Sequence, residues 1–133
     1  MDETKQPGIS FDTIFLKEMH FKREPNINSN QLNIDFKATV NLTADKNQLF
    51  YELGCDVSDK NHVFTLHCTM VGAFFVIEGS QNMDLEKFAE YNAPALIMPY
   101  IREIVTTTTI RAGLNPVIFP PINLQAVFKN KKL

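Results

Sequence analysis

The sequence predicts an α+β fold: a four-stranded antiparallel sheet followed by a long helix and short flanking helices. Three observations carry this reading. Ile34, Phe36, Ala38, Val40 and Leu42 alternate with polar neighbours, and Leu49, Tyr51, Leu53, Cys55 and Val57 do the same. Such period-2 patterning marks antiparallel strands with one wet face. The stretch from His62 to Glu78 carries an apolar row on one parity and turns apolar on the other from Val71 onward. Only Asn92 to Gly113 has long helical spacing, through Leu96, Ile97, Tyr100, Ile101, Ile104, Val105 and Thr108. A chain of 133 residues has room for one core and not for two.

In chain order, residues 1–10 read as a disordered lead and 11–133 as a single domain. Phe11 to Phe21 is strand-like, with Phe11, Phe15, Met19 and Phe21 on one parity and Ile14 and Leu16 on the other. A parity change within a strand predicts a bulge or two partly buried faces. Residues 24–33 form a loop rich in turn formers that still carries Ile27 and Leu32. The alternating strands are separated by turns at Asp45-Lys46-Asn47 and Asp59-Lys60-Asn61. In the fourth strand, Met70 to Ile77 is apolar on both parities, so it needs cover on both faces, which a second subunit is expected to supply.

Asp84 caps a short helix over Leu85–Tyr91. The long helix then has Asn92 as its N-cap, Pro94 in its first turn and Gly113 as its left-handed stop, with Asn115-Pro116 beyond. Pro99 removes one hydrogen bond inside it, and Thr106 to Thr109 is a β-branched run of poor helix propensity. A helix with such weak intrinsic preference must be held by packing from both sides.

Hydrophobic content of 44%, charged content of 21% and a net charge of −2 describe an ordinary globular protein and argue against nucleic acid as a partner. The start lacks a basic and an apolar leader segment. No stretch approaches the roughly 18 apolar residues of a membrane span. The expected location is the cytoplasm, without membrane insertion, and two cysteines suit that reducing compartment.

Catalytic signatures are absent. The sequence has no phosphate-binding glycine loop, dinucleotide fingerprint or G-x-S-x-G elbow. Neither an enzyme nor a cofactor is expected. His20, His62 and His67 with Cys55 and Cys68 do not converge on a metal site by strand parity, since His62 and His67 fall on opposite faces and Cys68 points away from His67. A tight turn near residue 59 sets Cys55 opposite Phe64 and leaves Cys68 about 13 Å along the ladder, beyond the roughly 7 Å a disulfide tolerates.

These residues resemble the SecB-type protein-export chaperones. Ile14-Phe15-Leu16-Lys17-Glu18-Met19-His20-Phe21 with Pro25-Asn26 is similar to the family's first strand and the turn into its crossover loop. Phe64 to Phe74, ending Gly72-Ala73-Phe74, is similar to its fourth strand. Asn92-Ala93-Pro94, Pro99-Tyr100-Ile101-Arg102-Glu103, Gly113, Asn123-Leu124 and Val127-Phe128 extend the likeness, with P-Y-x-R-E its most specific element.

The resemblance implies a homotetramer, a dimer of dimers with long helices between two sheets, acting as an ATP-independent holdase for non-native clients before translocation. It implies a client groove of Phe21, Pro25, Ile27, Leu32, Ile34, Leu124, Val127 and Phe128. Phe64, Leu66, Cys68, Met70, Ile97, Ile101 and Thr108 would form the oligomer interface. Family members dock on the SecA ATPase through an acidic patch and a C-terminal tail. Here Glu18 keeps one acidic position, whereas Lys22, Thr65 and His67 take others, and the chain ends Lys129-Asn130-Lys131-Lys132-Leu133. The clients are therefore either preproteins or, in a SecB-like chaperone dedicated to a toxin–antitoxin system, an antitoxin. A small-molecule-binding α+β domain is the remaining alternative.

Overall fold

The computed structural model describes residues 9–26, 29–43, 47–76 and 85–119. Four strands, β1 (Ile9–Arg23), β2 (Leu32–Leu42), β3 (Gln48–Asp59) and β4 (Phe64–Val76), precede helices α1 (Leu85–Tyr91) and α2 (Ala93–Arg111). The sheet order is β1-β4-β3-β2, and every neighbouring pair is antiparallel. β1 and β2, consecutive in sequence, therefore lie at opposite edges. The chain between them crosses the end of the β3–β4 hairpin.

β1 shifts register between Phe11 and Thr13 and again between Leu16 and Glu18. These two bulges explain its parity change: they bring Phe11, Ile14, Leu16, Met19 and Phe21 onto one face despite their uneven spacing. The strand begins at Ile9, which is buried, rather than at Phe11. Ile9 and Ser10 thus belong to the sheet and not to a disordered lead.

α2 covers the middle of that inner face. Its buried side is Ala93, Pro94, Ile97, Met98, Ile101, Val105 and Thr109, set on Leu53, Cys55, Leu66, Cys68, Met70 and Phe74 in one core. Gly72 permits the approach, because a Cβ there would stand 3.0 Å from Ile97 Cδ1 and 3.1 Å from Phe74 Cε2. Met70 through Phe74 is buried on both faces of a single chain, so most of the cover expected from a second subunit is supplied internally.

The expected N-cap at Asn92 differs in detail. Asn92 is itself in helical conformation and makes no side-chain cap. Its backbone N–H instead donates to Phe88 O at 2.8 Å, which runs α1 almost directly into α2. At the other end Gly113 takes φ 73°, the left-handed stop its position predicts.

The threonine run has a specific use. Thr109 Oγ1 lies 2.9 Å from Val105 O and 3.0 Å from Thr106 O, and it accepts the Val117 N–H at 3.0 Å. Thr106 donates to Val117 O at 2.7 Å. Two hydroxyls thereby fasten the post-helix segment onto α2, and Phe119 reaches Phe36 of β2 edge-on at 5.8 Å.

The β3–β4 register departs from the tight turn near residue 59. Cys55 pairs with Cys68, and the ladder closes at Ser58 and Thr65. The loop is longer because the buried Asp59 builds it: Oδ1 accepts Val63 N–H at 2.6 Å and Phe64 N–H at 3.2 Å, and His62 takes φ 53°. The two cysteines are thus direct cross-strand neighbours, both free and both buried.

Candidate functional site

Two features of the inner face decide what it can do: α2 is narrower than the sheet, and the strands beside it keep apolar side chains. On β2, Leu32, Ile34 and Val40 point to the helix side, opposite Asp59, Val57 and Tyr51, yet remain 36%, 38% and 45% exposed. On β1, Leu16 and Met19 are also exposed on this face. Side chains patterned for a core are left at its margins, on both flanks of the helix.

The end of the β2 flank is held by the crossover segment. Glu24 N–H donates to Val63 O at 2.7 Å and Lys60 N–H to Gln31 O at 2.9 Å. Ser29 N–H reaches Asp59 Oδ2 at 2.9 Å. Burial opposes ionisation of Asp59, but the backbone donors Ser29, Phe64 and Val63 outweigh it and hold its carboxyl below the usual range. Arg23 closes the arrangement, donating to Ala112 O at 2.6 Å, Glu24 O at 2.9 Å and Asn26 O at 3.1 Å. Parity assigns none of this to Asp59 or Arg23, because the signal lies in contacts between distant segments.

Of the groove residues implied by the sequence, Leu32 and Ile34 lie on the uncovered flank and Pro25 is exposed at the start of the crossover. Phe21 is half-buried, its ring 6.4 Å from that of Phe64. Ile27, Leu124, Val127 and Phe128 lie outside the described residues. Val40, Ile118, Leu16 and Met19 are exposed apolar residues that the resemblance did not single out.

The implied interface set is placed differently. Phe64, Leu66, Cys68, Met70, Ile97 and Ile101 are all buried inside the single chain. They serve its own core because α2 lies directly on β4. Thr108 alone of the seven keeps some surface. The solvent side of α2 presents Tyr100 and Ile110, both exposed, and the adjacent Arg102 Nε is buried without an acceptor among the described residues.

On the outer face Glu18, Lys22, Thr65 and His67 share one side of the β1–β4 ladder. Glu18 is exposed and accepts from His20 Nε2 at 2.8 Å. No described helix is long and apolar enough to cross a membrane.

The family model described as preprotein translocase subunit SecB matches residues 2–133. The chain belongs to the SecB family. Protein-export protein SecB of Azoarcus sp. is 25% identical, across 99% of this chain and 93% of that protein. The uncharacterized protein MJ0357 of Methanocaldococcus jannaschii is 33% identical, across 97% of this chain and 70% of that one. Among solved structures, the Mycobacterium tuberculosis Rv1957 SecB-like chaperone, in complex with a ChAD peptide from the Rv1956 HigA1 antitoxin, superposes with a TM-score of 0.76. It shares 17% identity and covers 88% of this chain and 89% of that chain, a likeness that shows the α+β fold. SecB-family proteins are chaperones and not enzymes, and this chain is a SecB-like chaperone.

Proposed function

We propose that this chaperone is an ATP-independent holdase that binds extended apolar segments of non-native proteins along the uncovered inner-face flanks. The observation that carries this reading is the row of Leu32, Ile34 and Val40, exposed except where Phe119 covers Phe36 between them, on a face otherwise used for the core. Apolar burial yields roughly 25 cal/mol per Å² and is non-directional, so such a row accepts many sequences. Phe21 and Pro25 extend the surface, and the family resemblance adds Ile27, Leu124, Val127 and Phe128 to the client-binding set. Copies of the chain join as a cytoplasmic homotetramer through the solvent side of α2, where Tyr100 and Ile110 lie open. Several grooves on one particle convert weak contacts into avidity, and binding the unfolded but not the native client holds it open by mass action.

Protein export is the client pathway supported by the relatives named protein-export protein SecB. A second reading, service to one antitoxin, is favoured by the outer face. There Lys22, Thr65 and His67 stand where SecA docking would need acidity, and the Rv1957 complex holds an antitoxin peptide.

Light scattering of a refolding client tests the holdase. Stoichiometric tetramer without nucleotide should suppress aggregation. Ile34→Asp should weaken client affinity by about 10-fold or more with assembly intact by light-scattering mass. No suppression by the parent protein sinks the proposal. Unchanged affinity in an intact Ile34→Asp assembly removes the β2 flank from it. Tight binding restricted to a neighbouring gene's antitoxin selects the second reading.

A further inference from the structure

The outer face carries a group that client capture on the inner face leaves unused. Asp56 of β3, His67 of β4 and His20 of β1 stand directly opposite one another across three strands. Glu18 lies two residues from His20 on the same face. Directly opposed residues have Cβ atoms about 5 Å apart, so both imidazoles and both carboxylates share one patch. His20, Asp56 and His67 also line an open groove of about 660 Å³.

The hydrogen bonds set the orientation of His67. Asp56 Oδ1 lies 2.7 Å from His67 Nδ1. A carboxylate only accepts, so in neutral His67 the proton is on Nδ1 and Nε2 presents a lone pair. That Nε2 takes a 3.2 Å contact from the Thr69 hydroxyl and stands 4.0 Å from Glu18 Oε2. The opposite oxygen of Glu18 meets His20 Nε2 at 2.8 Å.

We propose that His67 Nε2, His20 Nε2 and the Glu18 carboxylate bind one divalent transition-metal ion of the zinc class, with Asp56 as the positioning residue for His67. Two ligand atoms about 2.1 Å from a tetrahedral ion stand about 3.4 Å apart. The 4.0 Å gap between His67 Nε2 and Glu18 Oε2 is too long for a hydrogen bond and close to that spacing. Two imidazoles and a carboxylate, with water in the fourth position, suit Zn²⁺, Ni²⁺ or Cu²⁺ better than a hard cation. A carboxylate accepting from the far nitrogen of a ligating histidine is the usual support of such sites.

Among the described residues no three ligand groups already converge on one point, because Glu18 and His20 close on each other. Their side chains are 49% and 73% exposed and free to turn. An ion exchanges their hydrogen bond and the Thr69 hydroxyl's bond to His67 Nε2 for three metal bonds, with His20 taking its other tautomer and the Thr69 hydroxyl turning to solvent.

Calorimetric titration of the untagged full-length protein with ZnCl₂ tests the site, with Co²⁺ absorption as a second readout. The expected result is one ion per chain and a Co²⁺ spectrum without thiolate charge transfer. His20→Ala and His67→Ala should each lose at least 10-fold in affinity, and His62→Asn, at the remote turn, none. Asp56→Asn should weaken binding by about 10–100-fold without moving the metal-free melting temperature. No saturable Zn²⁺ binding, or binding that survives in the His20→Ala/His67→Ala double variant, overturns the site. Full affinity in Asp56→Asn overturns the positioning role.

Discussion

Arg23 Nη1 donates to Ala112 O at 2.6 Å, tying the last residue of β1 to the carboxyl end of α2. That end carries unpaired carbonyls and the negative pole of the helix dipole, so a part-buried guanidinium there is favourable twice over. The same group donates to Glu24 O and Asn26 O, so one side chain links sheet, helix and crossover.

Arg23→Ala should accordingly lose about 2 kcal/mol of stability, the scale of hydrogen bonds from a charged donor. Arg23→Lys should recover only part, since an ammonium cannot span all three carbonyls. Urea unfolding at fixed protein concentration reads this as a lower midpoint at unchanged slope. A midpoint that stays put would show that the crossover does not depend on Arg23.

Asp59 predicts a pH dependence with a definite sign. Its folded pKa lies below the ordinary value, so its contribution is present above the unfolded pKa of about 3.9 and is lost as pH falls through the folded value. Stability should decline with acidification below about pH 4. Asp59→Asn should cost about 2–3 kcal/mol at neutral pH and flatten that part of the decline. Urea midpoints measured across the acid range for both proteins check it, and parallel curves contradict it.

Gly72→Ala would place a methyl 3.0 Å from Ile97 Cδ1. Overpacking of this kind costs about 1–3 kcal/mol. Ile97→Val removes the nearest crowding atom and leaves Phe74 Cε2 at 3.1 Å, so the double variant should be partly relieved and less destabilised than the sum of the singles. A double-mutant cycle showing simple additivity would place the strain elsewhere.

Burial raises both thiols, Cys68 to about 11 and Cys55 further. The thiolate is the reactive form. Native protein should therefore react with a disulfide reagent roughly 100-fold more slowly than unfolded protein at neutral pH. Its rate should still be climbing at pH 9, where an ordinary thiol near 8.5 is levelling off. Fast labelling of the native state would contradict the burial of this pair.

Local pattern made much of the fold legible. The alternation of β2 and β3 assigned their inner faces correctly, residue by residue. The parity change in β1 announced its bulges, and Gly113 marked the end of α2. On the apolar flank, Leu32 and Ile34 were visible as core-type residues in and beside a polar loop. Val40 was not, because its alternation looks the same whether the face above it is covered or bare.

Sequence by itself determined which side chains of β2 and β3 face inward, since side-chain period follows from backbone geometry alone, whereas in β1 the two bulges decided it. Tertiary structure decided what each inward face meets. It set Cys55 against Cys68 through the loop that Asp59 builds, and turned Ile97 and Ile101 into subunit core by laying α2 on β4. It also drew His20 beside His67 near one end of a β1–β4 pairing that no local pattern encodes. Register and pairing depend on contacts between segments tens of residues apart, and those are settled by loop geometry and packing. The long helix is thus a feature of the sequence, while the bare apolar margins beside it are a consequence of how narrow a cover one helix makes for four strands.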